Sequence, residues 1–217
     1  MTISVYCLDN DIILKLATYS LFDKTLKTFE IDSSKVKILE TFKYKFRRDH
    51  QRKRSNNPVT YNLEAALNVT ESCGEISEKD VNQEIFIKLQ KTKGIDVGEA
   101  LLISYISDFN QQKDLGYLLT GDKRCLKTLI NPEIADIVKT LEGKVWCLEQ
   151  LVLKDIEIYG FNYIKDKIYP VRDCDTNIKH IFGYSVEASE DRVIEDLKKS
   201  IITLRKETGN LLYPYPK

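Results

Sequence analysis

The feature that most constrains the fold is a series of short apolar segments separated by stretches with helical spacing. Residues 3–8, 36–39, 116–120 and 144–148 form the apolar segments, and each is only a few residues long. Such segments are typical of buried parallel strands, and the longer helical patterns between them are typical of crossover connections. The sequence therefore predicts an α/β fold with a parallel central sheet and helices on both faces.

The helical patterns differ in how much of their surface is apolar. Residues 96–109 are apolar over a broad face, which predicts a helix buried on the sheet. A helix is predicted to begin near Asn10, and others are predicted over 21–29, 61–69 and 78–91. Residues 189–206 repeat an apolar side chain every three or four positions, which predicts a helix with one buried face, at Val193, Leu197, Ile201 and Leu204.

Length and pattern together predict one main core with an appendage. The chain has 217 residues, which is enough for one sizeable core. The alternating pattern holds over residues 1–154, and residues 155–217 read as a mostly helical extension. We expect that extension to pack on the first domain or on a partner, a second copy of the chain included.

Composition narrows the cellular setting. Hydrophobic residues make up 42% and charged residues 30%, as in a folded globular protein. No window approaches the ~18 consecutive apolar residues of a membrane span, and the first residues do not resemble an export signal. The five cysteines are scattered and odd in number, which does not support a disulfide framework. A cytoplasmic protein without a membrane partner is expected.

The charges are unevenly distributed although the net charge is zero. Residues 43–54 carry seven Lys or Arg against one Asp, with Tyr44 and Phe46 between them. Cations neutralise phosphates and aromatic rings stack on unpaired bases, so this basic segment predicts a nucleic-acid contact. The alternative is a solvated helix face whose aromatic residues belong to the core. The predicted contacts are Lys43, Lys45, Arg47, Arg48, Arg52, Lys53 and Arg54.

Three acidic residues are placed where parallel strands bring distant positions together. Asp9 follows the first strand, Asp122 follows the strand at 116–120, and Glu99 lies near the start of the buried helix. Ligands of open α/β sheets bind outside the carboxyl ends of the strands, so we expect these acids to converge. Taken singly, each acid also suits helix capping, and Asp96 with Glu99 has the spacing of a capping box.

These acids stand in segments that resemble the three acidic motifs of PIN-domain nucleases, over roughly residues 1–150. The segments are Leu8-Asp9-Asn10-Asp11, Gly98-Glu99-Ala100 and Thr120-Gly121-Asp122. The resemblance implies that Asp9, Glu99 and Asp122 bind Mg²⁺ or Mn²⁺ and cut single-stranded RNA. Further expectations are Asp11 as an added ligand, Glu40 ahead of Glu64 as a fourth acid, and Thr120 and Lys123 as phosphate contacts.

The chemistry fits hard oxygen ligands, because phosphodiester hydrolysis needs an activated water and a neutralised transition state. Two other functions remain open. An Asp-x-Asp after a first strand also opens the haloacid dehalogenase phosphohydrolases, and a PIN-like domain without metal would be an RNA-binding or interaction module. Within the nuclease interpretation, a toxin held by an antitoxin, a defence effector and an RNA-processing enzyme are all compatible, and DNA is an alternative substrate.

Overall fold

The computed structural model describes residues 4–44, 61–112 and 114–216. Its centre is a parallel sheet of five strands in the order β3-β2-β1-β4-β5, which confirms the predicted α/β fold. The strands are β1 Ser4–Leu8, β2 Val36–Leu39, β3 Gly74–Ile76, β4 Leu115–Thr120 and β5 Val145–Cys147.

Each predicted helix is present, although the one predicted over 78–91 begins at Gln83, and five helices that the structure describes after β4 were not individually predicted. Before the last strand lie α1 Asn10–Thr18, α2 Phe22–Thr28, α3 Leu63–Val69, α4 Gln83–Gln90, α5 Val97–Gln111, α6 Lys123–Thr128 and α7 Ala135–Lys139. After it lie α8 Leu148–Tyr159, α9 Phe161–Ile168, α10 Thr176–Phe182 and α11 Glu190–Thr208.

Both faces of the sheet are covered. Consecutive residues of a strand point to opposite faces, and Cys7 and Leu8 in β1 are both fully buried. Leu118 and Leu119 in β4 show the same double burial. The long helix α5 contacts β1, β2, β3 and β4, which confirms the prediction that it is buried on the sheet.

Strand β3 was not predicted from the sequence. It lies between the helices predicted over 61–69 and 78–91, in residues for which no element was predicted. The strand has three residues and pairs only with β2 among the described residues, in the register Lys37 to Gly74 and Leu39 to Ile76. A strand this short at a sheet edge carries too little periodicity to be distinguished from a turn.

The C-terminal part is helical and packs on the rest of the chain. Helix α8 runs without interruption through the predicted junction at 154/155, and α11 packs on α8 and α6. The four apolar positions predicted for α11 are all buried. In α8, the fully buried Asp155 accepts hydrogen bonds from Thr25 at 2.6 Å and Thr28 at 2.8 Å. Burial raises the pKa of Asp155 to about 6, against those two hydrogen bonds.

Two other features concern membrane-spanning helices and the cysteines. Across the three described ranges, no helix combines the length and the apolar character needed to cross a bilayer. All five cysteines are buried free thiols.

Candidate active site

The candidate site lies where the strand order reverses, between β1 and its neighbour β4. Open parallel sheets bind ligands in the crevice at this point, outside the carboxyl ends of the strands. Asp9 follows β1 directly, and its backbone N–H donates to the Leu119 carbonyl of β4 at 3.0 Å. The hydrogen-bond ladder between β1 and β4 thus extends to Asp9 and fixes the backbone position of this residue.

Asp9 occupies the N-cap position of α1, but its side chain makes no capping hydrogen bond. Instead, the Thr120 hydroxyl donates to Asp9 Oδ2 at 3.0 Å. The same hydroxyl oxygen accepts the backbone N–H of Asp122, also at 3.0 Å. Thr120 is buried and joins the two acids, so it orients the site; a phosphate contact by Thr120 stays a prediction.

The other two acids cap helices as well as facing the site. Asp96 and Glu99 form the predicted capping box at the start of α5, with hydrogen bonds of 2.8 and 2.7 Å. Asp122 caps α6 by accepting the Cys125 N–H at 2.9 Å. Each cap occupies one carboxylate oxygen, and the second oxygen of Asp122 lies 3.4 Å from the exposed Arg124 guanidinium.

The electrostatics show that the three acids are neighbours. Burial, and then the charge of Asp11, raise the pKa of Asp9 to about 6, against the Thr120 hydrogen bond, and Asp122 adds to the rise. Burial raises the pKa of Glu99 to about 7; the backbone hydrogen bond of Asp96 opposes this, and the charges of Asp96 and Asp122 add to it. In the described part of the chain, neither Asp9 nor Glu99 has an ion-pair partner.

Asp11 differs because a lysine neutralises it. Lys15, one turn later in α1, has a nearly buried side chain, and its ammonium lies 2.5 Å from Asp11 and 2.7 Å from Asp175. Asp175 caps α10 in the C-terminal part. Burial would raise the pKa of Asp175, but Lys15 outweighs it and lowers that pKa. Lys15 and Asp175 were not among the predicted site residues.

The acids line one cavity of about 560 Å³. Asp9, Asp11, Asp96, Glu99 and Asp122 are in its wall. Under it lies a void of about 10 Å³, close to the ~10–15 Å³ that a single water needs. Asp9 and Glu99 line both spaces. The apolar part of the larger wall consists of Leu14, Leu39, Tyr61, Leu63, Val97 and Leu101.

The donor set fits a hard divalent cation. It offers carboxylate oxygens, which Mg²⁺ and Mn²⁺ prefer. The side-chain oxygen of Asn10, also in the cavity wall, is buried and lacks a hydrogen-bond partner among the described residues. In the same described ranges, no group of three or more His, Cys, Asp or Glu side chains is arranged as a ready metal site.

Gly121 lies where the Asp11 carboxylate comes close to the backbone. A β-carbon at this position would collide with Asp11 Oδ2 and lie 3.3 Å from the Lys15 ammonium. A side chain at this position would therefore push the Asp11 carboxylate away from its place beside Lys15.

Cys125 lies beneath the acids but is not a nucleophile. It is buried in the wall of the smaller void. Burial, and then the charges of Glu99 and Asp122, raise the pKa of its thiol, so it stays protonated.

The remaining predicted residues lie elsewhere. Glu40 is exposed and lines a separate depression with Glu75, Glu78 and Asp80, and Glu64 is exposed on α3; neither lines the cavity of the acids. Lys43 pairs with Glu75 at 2.9 Å, and the Tyr44 ring is 68% exposed. The other basic residues of 43–54 lie outside the described residues: Lys45, Arg47, Arg48, Arg52, Lys53 and Arg54.

Lys123 contacts a buried carboxylate. Its ammonium hydrogen-bonds with Glu149 of α8, whose side chain is 2% exposed. The Asn177 amide donates to the same Glu149 oxygen at 2.5 Å. Glu149 and Asn177 carry no motif, and no signal in the sequence pairs them with Lys123.

Comparison of the chain with protein-family models, curated proteins and solved structures gave no match. The chemistry of the site therefore has to be inferred from its own residues.

Proposed function

We propose that this chain is a Mg²⁺- or Mn²⁺-dependent nuclease that hydrolyses single-stranded RNA, with Asp9, Glu99 and Asp122 as the metal ligands. The observation that carries the proposal is the convergence of these acids, from three distant segments, on one cavity at the switch point of the sheet. The raised pKa values of Asp9 and Glu99 support it, because a bound cation favours the ionised form of crowded carboxyls.

The bound ion would activate water and neutralise charge on the phosphate. The protein's own residues hold the geometry. Thr120 fixes the orientation of Asp9, and the capping bonds fix one oxygen each of Glu99 and Asp122. Lys15 pairs with Asp11, which borders the proposed cation site.

The wall of the cavity supports a polynucleotide substrate. Its volume of about 560 Å³ exceeds what a phosphate group alone requires, and Leu14, Tyr61 and Leu63 provide an apolar side. A ribose or base adjacent to the scissile phosphate can contact that side. The basic segment 43–54, which follows β2 in the sequence, provides further cations for the substrate phosphates.

The test is incubation of the purified protein with labelled single-stranded RNA and DNA in the presence of Mn²⁺. We expect RNA cleavage that is lost on chelation and in Asp9→Asn and Glu99→Gln. Glu40→Gln is the matched control, since Glu40 lies outside the cavity, and it should keep activity.

Other outcomes would replace the proposal. Hydrolysis of a small phosphoester without RNA cleavage would indicate a phosphohydrolase. RNA binding without Mn²⁺-dependent cleavage, unchanged in Asp9→Asn, would indicate a binding module. Loss of activity in Glu40→Gln but not in Asp9→Asn would place the metal elsewhere.

A further inference from the structure

A second cavity, of about 510 Å³, adjoins the cavity of the acids. The two are neighbours because Asp122 lines the first and Lys123 lines the second, and consecutive Cα atoms are only ~3.8 Å apart. Helices α6, α10 and α11 form the wall of the second cavity. Most of that wall comes from the C-terminal part of the chain, for which the proposed nuclease chemistry gives no role.

The ionisable side chains of this basic cavity are predominantly cationic. Lys123, Lys127, Arg192 and Lys199 line it together with His180, Asp196 and Glu207, and Lys123 is paired with the buried Glu149 behind the wall. Two of the cations have partners within the cavity: Lys127 lies 3.0 Å from Glu207, and Arg192 lies 3.7 Å from Asp196. Both pairs are solvent-exposed, and exposed pairs contribute only ~0–1 kcal/mol, so a phosphate can compete for these cations.

Lys199 has no ion-pair partner among the described residues. It is exposed on α11 and lines the basic cavity beside Ser200 and Thr203, whose hydroxyl protons are donated to Glu149 Oε1 and to the Lys199 carbonyl. The Lys199 ammonium has three N–H donors, which suits an anion with several acceptor oxygens, as in a phosphate group.

Lys123 is fixed between the two cavities. Its ammonium contacts the buried Glu149, and the Asn177 amide and Ser200 hydroxyl bind the same carboxylate oxygen, the latter at 3.5 Å. The second oxygen of Glu149 is buried and lacks a hydrogen-bond partner in the described part of the chain. This network holds a cation immediately after Asp122, so a strand bound at the acids meets Lys123 next.

We propose that the basic cavity binds a backbone phosphate of the single strand whose neighbouring phosphodiester lies at the acids. This inference rests on the proposed nuclease function for its substrate. The cavity binds the sugar-phosphate backbone without reading bases, because its ligands are cationic side chains. The C-terminal helices thereby supply a substrate subsite.

The test measures binding of a labelled single-stranded RNA to the full chain carrying Asp9→Asn, which should prevent cleavage. In that background, Lys199→Glu removes the unpaired cation of the basic cavity. Lys198→Glu is the matched control, because it makes the same charge change at the adjacent exposed residue, which does not line the cavity. Thermal melts of both variants check that each remains folded.

We expect Lys199→Glu to weaken binding about tenfold and to reduce the salt dependence of log Kd by about one unit of slope, as for loss of one phosphate contact. Lys198→Glu should change Kd less than about twofold. An equal loss in both variants would mean general charge attraction, and no loss in Lys199→Glu would mean that the strand lies elsewhere; either result overturns the proposal.

Failure of the nuclease function gives a different result. If the unsubstituted chain never cleaves RNA but Lys199→Glu alone weakens binding, the phosphate subsite stands and the catalytic proposal falls. If the unsubstituted chain cleaves and Lys199→Glu binds normally, the catalytic proposal stands and the subsite falls.

Discussion

Replacing Asp9 with Asn should stabilise the metal-free protein. Asp9 is held among other acids, and its pKa is raised from 3.8 to about 6, with burial as the largest cause. A difference of about 2 units corresponds to about 3 kcal/mol between the protonated and ionised forms. The folded state binds the Asp9 proton more tightly than the unfolded state does, so this contribution to stability is complete below about pH 4 and is lost as pH rises through about 6.

Asn stays neutral and can still accept the Thr120 hydrogen bond. We therefore expect Asp9→Asn to match the unsubstituted protein near pH 4 and to exceed its free energy of unfolding by up to about 3 kcal/mol near pH 8. Urea unfolding after chelation, followed at both pH values, measures the difference. Asp23→Asn, at an exposed acid on α2, is the control and should change little.

Mn²⁺ should change the relative stability of the unsubstituted protein and Asp9→Asn in the opposite direction. Because a ligand that binds only the folded state raises its stability, Mn²⁺ should stabilise the unsubstituted protein and leave Asp9→Asn nearly unchanged. A metal-free Asp9→Asn that is less stable near pH 8 would show that the carboxylate has a structural role. Equal stabilisation of both proteins by Mn²⁺ would show that Asp9 is not a ligand.

Three further substitutions test separate parts of the structure. Asp155→Asn should raise the free energy of unfolding near pH 8 by up to about 3 kcal/mol, because the pKa of Asp155 is raised to about 6, as that of Asp9 is. Urea unfolding should show no effect of Mn²⁺ on this difference. Asp122→Asn should abolish RNA cleavage and leave the melting temperature within a few degrees, because Asn also caps a helix; loss of folding would make the residue a structural cap. Lys15→Met should lower the free energy of unfolding in urea by about 2 kcal/mol, less than breaking a fully buried pair costs, because Asp11 is 35% exposed. Adding Asp175→Asn to Lys15→Met should restore part of that stability. An unchanged free energy of unfolding in Lys15→Met would contradict this.

The convergence of the acids was predictable because it follows from chain topology. Strands that run in parallel end at the same edge, and the sequence marks those ends with Asp9 and Asp122. Helix α5 is marked by its wide apolar face and its capping box, which fixes where Glu99 lies. Capping does not keep Glu99 and Asp122 out of the cavity wall, since each cap occupies only one carboxylate oxygen.

The partners of the charged residues were not predictable. Lys15 is four residues after Asp11, which suggests an ordinary surface pair on a helix. Its burial depends on Asp175, which approaches from a remote segment that periodicity does not locate. Periodicity reports which face of a helix is buried, but not which polar side chain meets it. For the same reason, the contact between Lys123 and Glu149 could not be predicted.

These remote contacts make the C-terminal part of the chain inseparable from the site. Asp175 reaches Lys15 and so sets the charge beside Asp11, while Glu149 holds Lys123 next to Asp122. Helix α8 carries both Glu149 and the buried Asp155, so a cut near residue 154 would open the core as well as the site. Truncation would therefore confuse loss of fold with loss of function, and only single substitutions such as Asp175→Asn can separate the contribution of the C-terminal helices to the chemistry from their contribution to folding.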